Sequence, residues 1–253
     1  MNVLDRAFEH PLELEERATV PFAAGIMQHG YQCGMIWGAA LAAGAEAYRR
    51  HGSGPKAEAA AIYAAQRVVE CFRTWHFEIN CLEITDLDKS SSTWQMINFF
   101  LIKGGTIGCL RMAERYAPLA FDEINAALSE EVMEAPSPPV SCAAMLARKM
   151  GESDMHAVMA SGFAGGIGLC GGACGALGAA IWIQGMKVGK EEGRRIGFKD
   201  PRAQEIVDRF MKHTDFEFEC SEIVGRKFKD VDDHAGYLHD GGCSELIEVL
   251  AGE

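Results

Sequence analysis

Apolar residues recur at intervals of three and four along much of the chain, which is the spacing of one face of an α-helix. β-Branched residues are few in these segments, and none of the segments alternates apolar and polar residues as a half-buried strand would. The clearest examples are EAAAIYAAQRVVECF, WQMINFFLIK, FDEINAALSEE, AAMLARKM and AQEIVDRFMKH. The pattern therefore predicts an all-α protein.

Two glycine-rich segments, one in each half of the chain, resemble each other. They read GIMQHGYQCGMIWGAALAAG and GIGLCGGACGALGAAIWIQG, and they align Gly30, Cys33 and Gly34 with Gly171, Cys174 and Gly175. Further along, ECFRTWHFEINCLEI resembles FMKHTDFEFECSEIV, which aligns Cys81 with Cys220 after a one-residue gap, and a looser match aligns Cys109 with Cys243. Three cysteines thus recur in the same order, which indicates an internal duplication.

The boundary between the two copies falls in SEEVMEAPSPPVS, which is rich in proline and small residues and has no helical period. We therefore divide the chain into an N-terminal repeat at residues 1–130, a linker at 131–137 and a C-terminal repeat at 138–253. Each repeat is predicted to form a small helical bundle, and the two are predicted to pack as a pseudo-dimer.

Charge and composition narrow the function classes. The formal net charge of −12 disfavours binding to nucleic acid or to an anionic membrane surface. Residues 157–186 carry no formal charge, but nine of them are glycine and large aliphatic side chains are scarce, so we expect no membrane span. The first residues show no basic region followed by an apolar run, and nine cysteines without a secretory signal favour free thiols. A cytoplasmic protein is expected.

The cysteines stand at or near predicted helix starts. Cys142, Cys174, Cys220 and Cys243 each precede a helical segment, and Cys33, Cys81 and Cys109 have a similar setting in the first half. The first turn of a helix has unpaired N–H groups and the positive end of the helix dipole, so a thiol there is expected to lose its proton more easily. The alternative is that these cysteines are small hydrophobic residues in tight packing.

The remaining cysteines, the glycines around Cys174 and the absence of known cysteine motifs bear on the kind of site. Cys170 and Cys174 would lie on one face if a single helix ran through both, although Gly171 and Gly172 between them are able to break it. Together with Gly175, these glycines would let the backbone approach a sulfur or a cofactor closely. Cys71 falls in mid-helix and is expected to be a core residue. CxxC and CxxCH motifs are absent, which argues against a zinc ribbon, a thioredoxin-like dithiol or c-type haem.

The C-terminal half resembles the C_GCAxxG_C_C family of redox-active proteins. The resemblance is carried by Cys142 in VSCAAMLARKMG, by CGALGA from Cys174 to Ala179, by Cys220 in ECSEIVG and by Cys243 in GGCSELIEVLA. The family's last motif glycine is Ala179 here. The first half keeps Cys33, Gly34 and Gly38 in CGMIWG, but no cysteine precedes Cys33, so it is a degenerate copy.

The resemblance implies a small helical fold and redox activity. Cys142, Cys174, Cys220 and Cys243 would then ligate an iron–sulfur cluster used in electron transfer. A wider set of candidate ligands adds Cys33, Cys81, Cys109 and Cys170. Two alternatives stay open: a metal-free thiol–disulfide oxidoreductase using the same cysteines, and a non-catalytic metal-binding or scaffold module. The redox partner is not identified by the sequence, and a homo-oligomer is left open.

Overall fold

The computed structural model describes residues 1–130, 135–191, 195–198 and 200–252. Within these ranges the chain forms α-helices and no β-strand, as the hydrophobic spacing predicts. The helices are α1 (Asn2–Ala7), α2 (Glu13–Arg17), α3 (Gly34–His51), α4 (Pro55–Trp75), α5 (Cys81–Thr85), α6 (Thr93–Ile97), α7 (Gly105–Ser129), α8 (Cys142–Lys149), α9 (Asp154–Ser161), α10 (Gly175–Lys190), α11 (Pro201–His213), α12 (Cys220–Val224), α13 (Val231–His239) and α14 (Ser244–Ala251). The chain also forms a 3₁₀ turn at Val20–Phe22 and a π-helical turn at Asn98–Ile102.

Several helices begin where a polar side chain caps them. The hydroxyl of Ser141 accepts a hydrogen bond from the backbone N–H of Ala144 at 3.2 Å and so caps α8. Asp200 caps α11 directly before Pro201, whose missing N–H costs nothing at the first helical position. These caps satisfy N–H groups that would otherwise lack a partner, and they set where the helices begin.

The core is built on two long buried helices, α3 and α10, which are rich in alanine and glycine. Helix α3 packs against α4 and also against α9 from the other half of the chain, while α10 packs against α8 and α11 and against α2 from the first half. Small residues permit these close contacts: a Cβ atom on Gly44 would lie 2.5 Å from the backbone of Met159. A Cβ atom on Gly185 would lie 3.0 Å from the carbonyl oxygen of Ala18. The two halves are therefore packed intimately through their glycine-rich helices.

Residues separated by 141 positions contact each other across the boundary between the halves. Phe22 meets Phe163 edge to face with ring centroids 5.6 Å apart. Glu15 Oε1 lies 3.0 Å from His156 Nε2. Trp37 fills the space next to Gly178, where a Cβ atom would come within 2.2 Å of the indole ring. The three pairs thus share one separation along the chain, and each pair joins the two halves.

Three predictions about organisation have different outcomes. None of the helices in the described part of the chain is both long and apolar enough to cross a membrane, as expected. The proposed linker at 131–137 lies partly outside the described residues, because these begin again at residue 135. The division into residues 1–130 and 138–253 stays a prediction.

Candidate functional site

Four of the five cysteines of the C-terminal half lie at the beginning of a helix, as the sequence predicts. Cys174 is the N-cap residue of α10 and Cys243 is the N-cap residue of α14. Cys142 and Cys220 are the first residues of α8 and α12. Cys243 has a φ angle of 61°, a left-handed conformation that is uncommon outside glycine. Four separate helices therefore contribute one sulfur each.

A left-handed turn leads into this region. Five consecutive residues from Gly165 to Leu169 have positive φ angles, and Gly171 follows with 82°. The carbonyl of Gly165 accepts the N–H of Gly171 at 2.9 Å, which closes the turn. Three of the five residues are glycine, which adopts this conformation without steric cost. The turn directs the chain into the start of α10 at Cys174.

A short antiparallel pairing joins Cys174 to Cys220. Residues Ala173 and Glu219 form an isolated bridge. The N–H of Cys174 donates to the carbonyl of Phe218 at 2.9 Å, and the N–H of Cys220 donates to the carbonyl of Gly172 at 2.6 Å. Backbone hydrogen bonds thus fix two of the four cysteines beside each other although they are distant in the chain.

The four sulfurs lie close enough together to raise one another's pKa. The pKa of the Cys220 thiol is raised by burial and then by Cys174, Cys142 and Cys243. The pKa of Cys243 is raised by burial and then by Cys142 and Cys174, and that of Cys174 by burial and then by Cys142. Every pair among the four is therefore close enough for the charge on one sulfur to affect the other. We call Cys142, Cys174, Cys220 and Cys243 the four-thiol group.

The expectation that helix starts make these thiols more acidic is wrong. Cys142, Cys174 and Cys220 are only 4%, 5% and 8% exposed. Burial raises the pKa of Cys174 to about 12, even though the N–H groups of Ala176 and Leu177 act in the opposite direction. Desolvation of a thiolate outweighs the first helical turn here, because the sulfur lies in apolar surroundings.

Thiolates are ligands for zinc and for iron–sulfur clusters, and the two kinds of site place different demands on the distances between the sulfurs. Within the described residues, no three cysteine, histidine, aspartate or glutamate side chains are placed to hold one metal ion together. Four thiolates around a single zinc ion at about 2.3 Å would have to lie roughly 4 Å from one another. A cluster of several irons takes each thiolate on a different iron, so its ligands stand further apart. The four-thiol group has the chemical type and number of ligands that such a cluster takes.

The glycines next to Cys174 make room for protein atoms. A Cβ atom on Gly175 would lie 1.8 Å from the carbonyl oxygen of Phe163, and one on Gly172 would lie 1.5 Å from Nε2 of Gln32. One on Gly171 would meet the side chain of Lys227 at 2.9 Å. Close packing alone accounts for glycine at these positions. Their role in binding a cofactor stays a prediction.

Cys170 is held differently from Cys174, and no helix joins the two. Its thiol donates to the carbonyl of Gly166 at 2.7 Å within the left-handed turn. Gln32, from the first half, is fully buried and places its amide group 3.7 Å from the Cys170 sulfur. Cys170 also raises the pKa of Cys220, although less than burial and the other three cysteines do. It therefore borders the four-thiol group, and no motif in the sequence indicates its contact with Gln32.

The first half repeats the same backbone arrangement around Cys33 and Cys81. Residues Ala24 to Gln28 form five consecutive left-handed positions, and Gln32 and Asn80 form an isolated bridge. The corresponding hydrogen bonds run from Cys33 N to Ile79 O at 2.8 Å, from Cys81 N to Tyr31 O at 2.7 Å and from Leu82 N to Gly30 O at 2.8 Å. Cys33 and Cys81 stand at the beginnings of α3 and α5, as expected.

Two further cysteines of the first half complete the comparison with the sequence. Cys109 is the fifth residue of α7, so the expectation of a helix start is wrong for this position. The alignment with Cys243 fails there because α7 begins four residues earlier, at Gly105. Cys71 lies in mid-helix in α4, half-buried against the core, as predicted.

A cavity of about 570 Å³ leads from the surface to Cys243, the most exposed member of the four-thiol group. Tyr237 also lines this cavity and acts to lower the pKa of the Cys243 thiol. Carboxylates dominate the charged lining of the cavity, namely Asp215, Glu217, Glu222 and Glu245, with His213 beside them. Tyr237 was not singled out in the sequence, since it falls in a charged segment without a motif.

These features define a helical, cysteine-rich protein with a group of buried thiols in its C-terminal half. Residues 140–252 match the model of the family described as "Putative redox-active protein (C_GCAxxG_C_C)". The match confirms the resemblance seen in the C-terminal half and supports a redox role. Neither the curated proteins nor the solved structures include a match to the chain.

Proposed function

We propose that this protein is an electron-transfer protein in which Cys142, Cys174, Cys220 and Cys243 ligate an iron–sulfur cluster. The observation that carries the proposal is the mutual proximity of these four thiols, which come from four different helices. The family match over residues 140–252 supports the redox part of it. When bound, such a cluster accepts and releases electrons at a potential that its surroundings set.

The protein's own residues have defined tasks in this function. Bound iron replaces the thiol protons, so ligand binding releases protons and depends on pH. The N–H groups of Ala176 and Leu177 at the start of α10 point toward the Cys174 sulfur, where hydrogen bonds tune the electron density of a ligand. The apolar surroundings of Cys142 and Cys220 exclude water. Tyr237, which lines the cavity at the exposed edge, acts to lower the pKa of the Cys243 thiol.

The route for electrons would lie through the cavity next to Cys243, because the other three thiols are more deeply buried. The carboxylates around that opening favour a redox partner with a basic surface, since complementary charge speeds the encounter of two proteins. The partner itself is not identified by this reasoning.

We further propose that the two halves arose by duplication and pack as a pseudo-dimer. The support is the constant separation of 141 positions, which relates Cys33 to Cys174 and also relates the contacting pairs Phe22–Phe163 and Glu15–His156. The left-handed turn and the backbone pairing at the cysteines recur with the same order of residues.

The decisive experiment is anaerobic purification followed by visible absorbance and analysis of iron and acid-labile sulfide. Iron–sulfur bands and iron in the wild type, lost in Cys174→Ser and retained in Cys71→Ser, are the expected result. Cys71→Ser is the matched control because it removes a half-buried thiol outside the four-thiol group. Colourless protein whose thiol count changes with oxidant would instead support the metal-free oxidoreductase. Colourless protein with inert thiols would support a scaffold role.

A further inference from the structure

A cavity of about 230 Å³ lies where α1 and the turn after it meet α3 and α9. Its walls are mainly apolar and are formed by Phe8, Leu12, Ala42, Ala45, Tyr48 and Met155. Phe8 is held in place by Phe121 of α7, with ring centroids 4.6 Å apart. Met155 belongs to the second half of the chain, so both halves contribute to the cavity. No cysteine of the described ranges lines it, and we call it the α1 cavity.

Two buried carboxyl groups line the α1 cavity, and the chain treats them differently. Glu46 is 3% exposed, and its carboxylate accepts hydrogen bonds from Nε of Arg49 and from Nε of Arg50, each at 2.6 Å. Asp5 is 2% exposed, and its Oδ2 has no hydrogen-bond partner. A buried oxygen without a partner has lost its hydration with nothing in exchange, and such atoms are rare in folded proteins. Asp5 therefore offers an unused acceptor beside an apolar space.

The surroundings of Asp5 oppose its ionisation. Burial raises the pKa of Asp5 to about 8, and the carboxylates of Glu16 and Glu15 act in the same direction. The amino group of Met1 acts in the opposite direction, but less strongly than burial. The ionised carboxylate thus lacks sufficient positive charge around it, and a cation in the α1 cavity would supply that charge.

The other polar groups of the α1 cavity agree with a positively charged ligand. Besides Asp5, the ionisable residues that line it are His10, Glu46, Tyr48 and Arg49. Arg49 is already paired with Glu46, so it does not present a free positive charge to an anion. The aromatic rings of Phe8 and Tyr48 in the lining also attract cations through their π faces.

We propose that the α1 cavity binds a small organic cation, a primary alkylammonium ion whose N–H groups donate to Asp5 and whose alkyl chain lies against the apolar walls. A primary ammonium brings the hydrogen-bond donors that Oδ2 of Asp5 lacks, whereas a quaternary ammonium brings none. Leu12, Ala45 and Met155 provide the apolar contact for the alkyl chain. This site stands apart from the proposed iron–sulfur centre, and neither inference depends on the other.

Binding of the cation is coupled to a proton. Because the pKa of Asp5 is raised to about 8, the carboxyl group is protonated in the free protein at neutral pH. When the ammonium ion binds, the carboxyl group ionises and its proton passes to the solvent. Affinity should therefore rise about tenfold for each pH unit below this pKa and level off above it.

The experiment titrates the whole chain with n-butylammonium by isothermal titration calorimetry, in two buffers of different ionisation enthalpy that reveal the released proton. Tetramethylammonium, n-butanol and butyrate are the comparison probes, and we expect each to bind at least tenfold more weakly. Asp5→Asn should weaken binding of n-butylammonium tenfold or more, and exposed Asp122→Asn in α7 is the matched control that should leave it unchanged. Because His10 also titrates, the rise of affinity with pH should persist in His10→Gln.

A second variant keeps the proposal testable if circular dichroism shows that Asp5→Asn is unfolded. Ala45→Leu fills the α1 cavity, leaves Asp5 in place and should also abolish binding of n-butylammonium. Equal affinity in the wild type and in folded Asp5→Asn, or undiminished binding in folded Ala45→Leu, would overturn the proposal. So would wild-type protein that binds none of the four probes. Tighter binding of butyrate than of n-butylammonium would also overturn it, because Asp5 would then act as a protonated donor to an anion.

Discussion

His156 provides the sharpest prediction, because it is a nearly buried histidine between two carboxylates. Nδ1 lies 2.7 Å from Glu152 and Nε2 lies 3.0 Å from Glu15, and the three side chains are 8–12% exposed. Burial acts to lower the pKa of His156, but the hydrogen bonds to Glu15 and Glu152 outweigh it and the pKa is raised. The pKa of Glu15 is lowered by the hydrogen bond to His156, with a smaller contribution from Lys190. The imidazolium therefore stabilises the fold.

The size of the effect in His156→Gln follows from the bonds that change. Two charge-assisted hydrogen bonds of about 1.5 kcal/mol each are lost, and the glutamine amide restores one neutral bond of about 1 kcal/mol. The free energy of unfolding should fall by about 2 kcal/mol near pH 5.5. As pH rises through the raised folded pKa of His156, the wild-type histidine loses its charge and donates one bond, as glutamine does, so the difference should shrink below about 1 kcal/mol.

The raised pKa of His156 and the lowered pKa of Glu15 determine how the free energy of unfolding changes with pH. The contribution of His156 is fully present below its unfolded pKa of 6.5 and is lost as pH rises through the raised folded value. The contribution of Glu15 is present above its unfolded pKa of 4.5 and is lost as pH falls through its lowered folded pKa. The difference between wild type and variant is therefore largest between these two pH values.

Urea unfolding followed by circular dichroism at several pH values measures this difference. His213→Gln makes the same chemical change on an exposed side chain and should leave stability unchanged. A difference for His156→Gln that grows as pH rises would refute the assignment of a buried imidazolium.

Other substitutions test the packing and the link between the halves. Gly175→Ala should destabilise the protein by about 2 kcal/mol or more, since the new methyl group meets the Phe163 carbonyl, whereas Gly236→Ala in α13 has open space and should stabilise it by up to about 1 kcal/mol. Equal effects in thermal unfolding would contradict the contact at Gly175. Gln32→Leu removes the acceptor of the Ala173 N–H, which lies 3.0 Å from Oε1, and should cost about 2 kcal/mol, while exposed Gln204→Leu should cost little. No loss in denaturant unfolding of Gln32→Leu would mean that this hydrogen bond is absent in solution. Glu245→Lys at the cavity next to Cys243 should slow electron exchange with a cationic mediator more than with a neutral one, and equal rates would argue against this route.

The helices and most cysteine positions could be predicted from the sequence, because local signals determine them. Apolar spacing marks α4 and α11, and it also marks the helical segments after Cys142 and Cys243, where α8 and α14 form. Cys109 was misplaced because nothing in its neighbourhood distinguishes a helix start from the second turn of a helix.

The features that the sequence could not provide depend on contacts over long distances. The raised pKa of Cys174 follows from how deeply the sulfur is buried, which helix propensity does not reveal. Gln32 reaches the loop at Cys170 across 138 positions, and Glu15 reaches His156 across 141. Only the folded chain brings such residues together, so a single sequence gives no pattern for them.

The pairing of Trp37 with Gly178 carries an evolutionary consequence under the proposed duplication. In an ancestral homodimer the two positions would have been identical, leaving either a hole between two glycines or a collision between two indoles. Joining both copies in one gene would have allowed a tryptophan at one position and a glycine at the other, and likewise a glutamate at position 15 facing a histidine at position 156. Neither half, once specialised in this way, could return to pairing with a copy of itself.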